Sequence, residues 1–252
     1  MLQELLPATI FAVLLVFVRM GGALMFLPGY GESYVSARVR LLLALLVALV
    51  VTPVLRAELP RQPESVVLLA LLLFGEFLIG AFIGGMARIM MSALTTAGMT
   101  IAYMSTLANA MVNDPAAAQQ GSIFSAFLNI TALVTIFALN LHHTMLAALM
   151  DSYILFPPGQ PPPLGDFADI ASQVVARTFV VALQLASPFI VVGLIFYLGV
   201  GILSRLMPQV QIFFVAMPLQ ILKGLWLMLL TLPVMIAWFI GAFEDTLRIF
   251  EP

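Results

Sequence analysis

Cysteine is absent from the 252 residues, histidine occurs twice, and charged side chains make up only 9% of the chain. Without cysteine there is no disulfide framework, no iron–sulfur cluster and no thiolate metal site. The shortage of charge excludes as much again. Ten Lys and Arg, scattered singly or in pairs against twelve acids, offer no basic surface on which nucleic acid could settle. Also missing are a glycine-rich phosphate loop, a His-Glu-x-x-His motif and a nucleophile elbow, while Ser122 and Ser125 have no general base close in sequence. An enzyme is therefore not expected, and no cofactor or metal is implied. His142 and His143 are adjacent, point in different directions on a helix and lack the i, i+4 spacing of a metal pair. They are expected at the membrane interface, near the end of a span.

What fills the chain instead is hydrocarbon. Hydrophobic residues reach 63% and mean hydropathy +1.14, more apolar surface than a soluble core of this size can hide. The fold class expected is all-α: a polytopic, membrane-associated helical protein. Its first residues, Met1-Leu-Gln-Glu-Leu-Leu-Pro, put an acid where a cleaved signal has its positive region, so they are read as the start of a retained span. Apolar runs follow at about 5–27, 41–55, 66–87 and 122–149. The third contains Gly80-x-x-x-Gly84, a pair that lets a second helix approach closely. Residues 89–110 are weaker, because Ser92, Thr95, Thr96, Thr100 and Ser105 suit a polar cavity or a protein contact better than lipid. A proline-rich link, Asp151 to Asp169, leads to two helical patterns at about 170–203 and 209–243, separated by Ser204-Arg205-Leu206-Met207-Pro208. Helices of ~35 residues would be ~50 Å long, beyond a hydrocarbon core of ~30 Å. They either tilt and bend at Pro188, Pro218 and Pro233 or stand partly outside the bilayer against other subunits.

Residues 104–124 are the stretch around which the rest is organised. They lack the purity of a span, yet Asp114 is their only ionisable residue. Small residues, amides, Met104, Met111 and an Asn-Asp-Pro break fit a segment that re-enters the protein's own interior and restricts a pore. The residues expected to plug it are Met104, Leu107, Asn109, Met111, Val112, Asn113, Asp114 and Pro115, with Met111 as the leading apolar contact. Gly98 and Gly121 could flex at its ends.

Charges inside apolar runs are the other candidates, because isolated charge is costly in hydrocarbon. Arg19, Glu76, Arg88 and Lys223 are each read as a buried charge or a subunit contact. Glu76 has two readings: a proton or cation site, or the buried partner of Arg19 or of another subunit's charge. Alternating six spans places Arg38, Arg40, Arg88 and Arg205 on one side, which the positive-inside rule makes cytoplasmic.

Three segments carry a resemblance to the FliR family of flagellar export-gate proteins, which share a fold with the SctT proteins of virulence type III secretion. They are Gly75-Glu76-Phe77-Leu78-Ile79-Gly80 with Gly84, the central Val112-Asn113-Asp114-Pro115 with Gln119-Gln120, and Leu203-Ser204-Arg205-Leu206-Met207-Pro208-Gln209 running on to Pro218. The resemblance covers essentially the whole chain. It implies one copy assembling with FliP and FliQ subunits into a helical gate in the bacterial inner membrane, within the flagellar basal body, and meeting FlhB, FlhA, unfolded export substrates and lipid. It further implies a FliP-like part at 1–165, a FliQ-like hairpin at 166–252, and a plug loop at about 104–121, in which Met111 or Val112 stands where the family often has Phe. The turn with Arg205, Pro208 and Gln209 is expected to meet a cytoplasmic-side partner. A small-solute or proton-coupled permease using Glu76 is the alternative.

Overall fold

The computed structural model describes residues 2–107, 112–114, 119–209 and 211–250. Among them the fold is all-α apart from one small ladder. Its helices are α1 (Leu2–Leu24), α2 (Ala37–Leu55), α3 (Val66–Met104), α4 (Ile123–Ala138), α5 (Leu141–Leu155), α6 (Leu164–Leu206) and α7 (Ile212–Leu247), followed by a 3-10 turn at Arg248–Phe250. Between α3 and α4, β1 (Val112–Asp114) and β2 (Gln119–Gly121) pair antiparallel, with Val112 opposite Gly121 and Asp114 opposite Gln119. Four of the helices, α2, α3, α6 and α7, are long and apolar enough to cross a membrane, and the bent pair α4–α5 makes a possible fifth span.

Three boundaries differ from the sequence reading. The run at 66–87 and the hydroxyl-rich stretch after it are one helix of 39 residues, so Arg88 lies inside α3 and not at the end of a span. Neither proline nor a capping residue interrupts it, and its hydroxyls bond within the helix: Thr96 donates to the Ser92 carbonyl at 3.1 Å and Thr100 to that of Thr96 at 2.9 Å. The run at 122–149, by contrast, is broken. Asn140 takes a left-handed conformation (φ 60) that an Asn side chain tolerates better than most, and α4 and α5 meet there at 75°. Finally, α6 starts at Leu164, earlier than 170, with Asp166 in its first turn facing the positive end of the helix dipole.

The helices contribute to two compact units. The first takes the chain up to Met90, Phe137–Val174 and the stretch from Glu244. Here α1 lies directly against α3: a Cβ on Gly80 would overlap the Arg19 carbonyl, one on Gly84 would overlap that of Ala23, and one on Gly22 would come within 2.9 Å of the Phe77 carbonyl. That contact buries Leu15, Met20, Ile79 and Ile83 completely or nearly so. Further along, Phe82 stacks on Phe167 at 4.0 Å and meets the edge of Phe250. Only small residues of α2 (Ala44, Ala48 and Thr52) and Leu55 are buried, which leaves its leucine-rich face outward.

The second unit takes Met91–Ile136 and Val175–Phe243. Its core draws Leu94, Ala97 and Ile101 from α3, Leu128 and Ala132 from α4, Leu185 and Phe189 from α6, and Phe239 and Phe243 from α7. Gly98, expected to flex, packs inside α3, where a Cβ would stand 2.5 Å from the Ser125 backbone, so its position requires a residue that allows close approach.

Candidate functional site

Two polar constructions stand inside these apolar units. In the first unit, Arg19 is completely buried and Glu76 is 2% exposed, and they form an ion pair at 2.6 Å. The rest of the guanidinium is also occupied. Nη1 donates to the Ser152 carbonyl at 3.1 Å and to its hydroxyl at 3.3 Å, Nη2 donates to the Phe156 carbonyl at 3.0 Å, and the Tyr153 ring lies 4.0 Å from the guanidinium carbon. Arg19 thus neutralises Glu76 and meets the C-terminal end of α5, where the Ser152 carbonyl also accepts from the Phe156 N–H at 2.8 Å and a positive charge is favoured. Of the two readings open for Glu76, this geometry shows a carboxylate engaged by Arg19. Ser152 and Tyr153 were not among the sequence candidates, since nothing local distinguishes them from ordinary residues near a helix end.

Arg88 pairs with Glu32 of the α1–α2 connection, and Arg40 donates to the Glu32 and Val35 carbonyls at 3.1 and 3.2 Å. The basic residues Arg40 and Arg88 therefore share one end of this unit. Burial, then the nearby Glu32, pushes the Tyr34 phenol above its usual range while Arg88 acts the other way, leaving a neutral hydroxyl at physiological pH. At the α4–α5 break the His142 and His143 rings lie 4.0 Å apart, and His142 also stacks on Phe137 at 5.0 Å. The two rings meet, contrary to the divergence expected of neighbouring helical positions, in the first turn after the left-handed Asn140. Among the described residues no group of three His, Cys, Asp or Glu could hold a metal.

The second construction frames the central stretch. At its far end, Ser122 donates to the Gly98 carbonyl at 2.9 Å, Ser125 donates to that of Thr95 at 2.9 Å, and Asn129 donates to the Thr95 hydroxyl and the Ser125 carbonyl. At its near end, Gln220 of α7 donates to the Met104 carbonyl at 3.0 Å, and Ser105, 1% exposed, fits against Gly224. Thr106 follows with φ 58, a left-handed conformation unusual for a β-branched residue and costing on the order of 1–3 kcal/mol.

Of the expected plug residues, Met104 and Leu107 are half-buried, and Val112, Asn113 and Asp114 form β1. Asn109, Met111 and Pro115 lie outside the described residues. Lys223 sits one residue from Gly224, with its ammonium 4.4 Å from the Phe196 ring centre and no hydrogen-bond partner among the described residues. Arg205, Pro208 and Gln209 are exposed, together with the apolar side chains of Ile202, Leu203, Leu206 and Met207.

Long apolar helices, an ion pair sealed between them and a hydroxyl-and-amide frame around a short hairpin define a multi-pass helical protein of the membrane. A profile of the family described as Bacterial export proteins, family 1, matches residues 10–246. The flagellar biosynthetic protein FliR of Caulobacter vibrioides is 37% identical over 241 residues, covering 96% of each chain. FliR of Bacillus subtilis is 29% identical over 213 residues, covering 83% of this chain and 82% of that one. The Yop proteins translocation protein T of Yersinia pestis is 27% identical over 154 residues, 60% of this chain and 59% of its own. The chain belongs to this export family and, within it, to the FliR proteins.

Proposed function

We propose that the chain is a non-enzymatic subunit of a flagellar type III export gate in the inner membrane, and that residues 104–121 plug the channel at rest. The observation carrying this reading is the frame around that stretch. Both of its ends are held by buried or part-buried polar contacts to helices, Met104–Ser105 on α7 and Ser122–Ser125 on α3, while the stretch between has a single ionisable residue. A loop meant for water needs no such mounting. A nearly uncharged hairpin held at both ends suits a confined position, where it would exclude ions and then move aside for an unfolded polypeptide.

In this reading residues 1–165 are FliP-like and 166–252 FliQ-like, a likeness to neighbouring subunits distinct from which residues pack together. One copy sits with FliP and FliQ subunits, and FlhB and FlhA lie nearby. The α6–α7 turn at Arg205, Pro208 and Gln209 supplies a partner contact, for which its exposed apolar side chains are suited. Names of relatives support the flagellar assignment, and the translocation protein of Yersinia pestis supports the wider kinship with virulence secretion.

Deleting residues 107–118 should raise ion conductance through the assembled complex in a planar bilayer, and parent-level conductance would remove the plug role. A permease using Glu76 is less well supported, because that carboxylate is engaged by Arg19. Glu76→Gln should therefore lower the yield of assembled complex and not leave an intact assembly that has lost transport.

A further inference from the structure

The last carbonyls of α3 have no partner within the helix. One of them, at Met104, is met by Gln220, whose side chain is only 3% exposed. An amide in the middle of an apolar helix is unfavourable unless its donors are used, and a leucine would fill the same space without that demand. One turn further on α7, Gly224 leaves the notch that Ser105 occupies, and a Cβ there would stand 2.7 Å from the Ser105 Cβ. Glycine inside a helix is unfavourable relative to alanine, so what it offers here is room. From α6, Gly193 makes space for the Met104 thioether, with a Cβ there 3.0 Å from Sδ. Just past this grip the chain turns sharply at Thr106.

We infer that Gln220 and Gly224 are positioning residues for the central stretch: the C-terminal hairpin, through this one turn of α7, fixes where the stretch leaves α3 and hence where it rests in the channel. The inference rests on the plug reading above for its functional consequence, but not for the anchorage itself. A shift of α7 along or around its axis would be transmitted to Met104 and Ser105 through a hydrogen bond and a shape fit, with no other element needed.

Two measurements on the complex assembled with its partner subunits test this. The first is ion leak. Gly224→Ala should raise it severalfold while the subunits still co-purify in their normal ratio, and adding Ser105→Gly, which vacates the notch, should return the leak to the parent level. If Gly224→Ala does not assemble, Gln220→Met, similar in length but without the donor, takes its place. The second is amide exchange at Ser105, whose N–H is bonded to the Ile101 carbonyl at 2.9 Å. Losing the Gln220 hydrogen bond should speed it roughly fivefold in Gln220→Met.

Where the 107–118 deletion leaks, parent-level leak in the assembling point variant, or a Gly224→Ala leak that Ser105→Gly fails to reverse, overturns the inference. Where that deletion does not leak, the plug reading has failed on its own, and the anchorage stands or falls with the exchange rate at Ser105.

Discussion

Arg19 makes the most demanding side-chain arrangement in the chain. A guanidinium removed entirely from solvent is costly unless an anion and enough acceptors surround it, and here Glu76, two carbonyls and a hydroxyl do so. Removing one partner should therefore hurt more than removing both. Arg19→Met, leaving Glu76 buried and unpaired, is expected to lose roughly 3–5 kcal/mol, seen as a lower Tm of the detergent-solubilised complex, whereas Arg19→Met with Glu76→Met should regain most of that loss. Arg19 and Glu76 were visible in the sequence, since ions inside apolar runs are rare. Their hydroxyl and carbonyl partners were not, because Ser152 and Phe156 lie far along the chain and carry no local mark. Gln220 and Gly224 were equally hidden: an amide and a glycine in a greasy helix acquire meaning only once Met104 and Ser105 are seen against them.

At the level of elements, periodicity and length located nearly every helix, and the glycine pair in the third run lies at a close helix contact. The errors lie where a local preference was read as a boundary. Serines and threonines after Arg88 looked like the end of a span, but hydroxyls bonded to carbonyls four residues back disturb a helix little, and α3 runs on to Met104. The opposite happened at Asn140, where a single backbone conformation bends a run that reads as continuous. Asn140→Gly, which adopts that conformation freely, should leave stability near the parent value. Asn140→Val should lose roughly 1–2 kcal/mol, measured as a fall in Tm of the complex. An outcome in which both variants behave alike would mean that the bend is held by packing and not by the residue.

At the level of the whole molecule, the length of the helices sets a requirement on the surroundings. With 43 residues, α6 extends ~64 Å, about twice the thickness of a hydrocarbon core, and it carries exposed apolar side chains from Phe179 to Leu206. Lipid alone does not reach that far, so protein is expected against part of it. A photo-crosslinker at Met207, in the exposed α6–α7 turn, should yield protein adducts in native membranes, and recovery of lipid adducts alone would count against a partner there. The buried arginine also bears on how the protein is made. Its donors are complete only when Phe156, 137 positions later, has been synthesised, so an early α1 enters the membrane carrying a cation that nothing yet receives. Nascent chains stopped short of α5 should linger at the insertion machinery, and full-length ones should leave it, which makes the release of the ribosome's product depend on a helix that arrives more than halfway through translation.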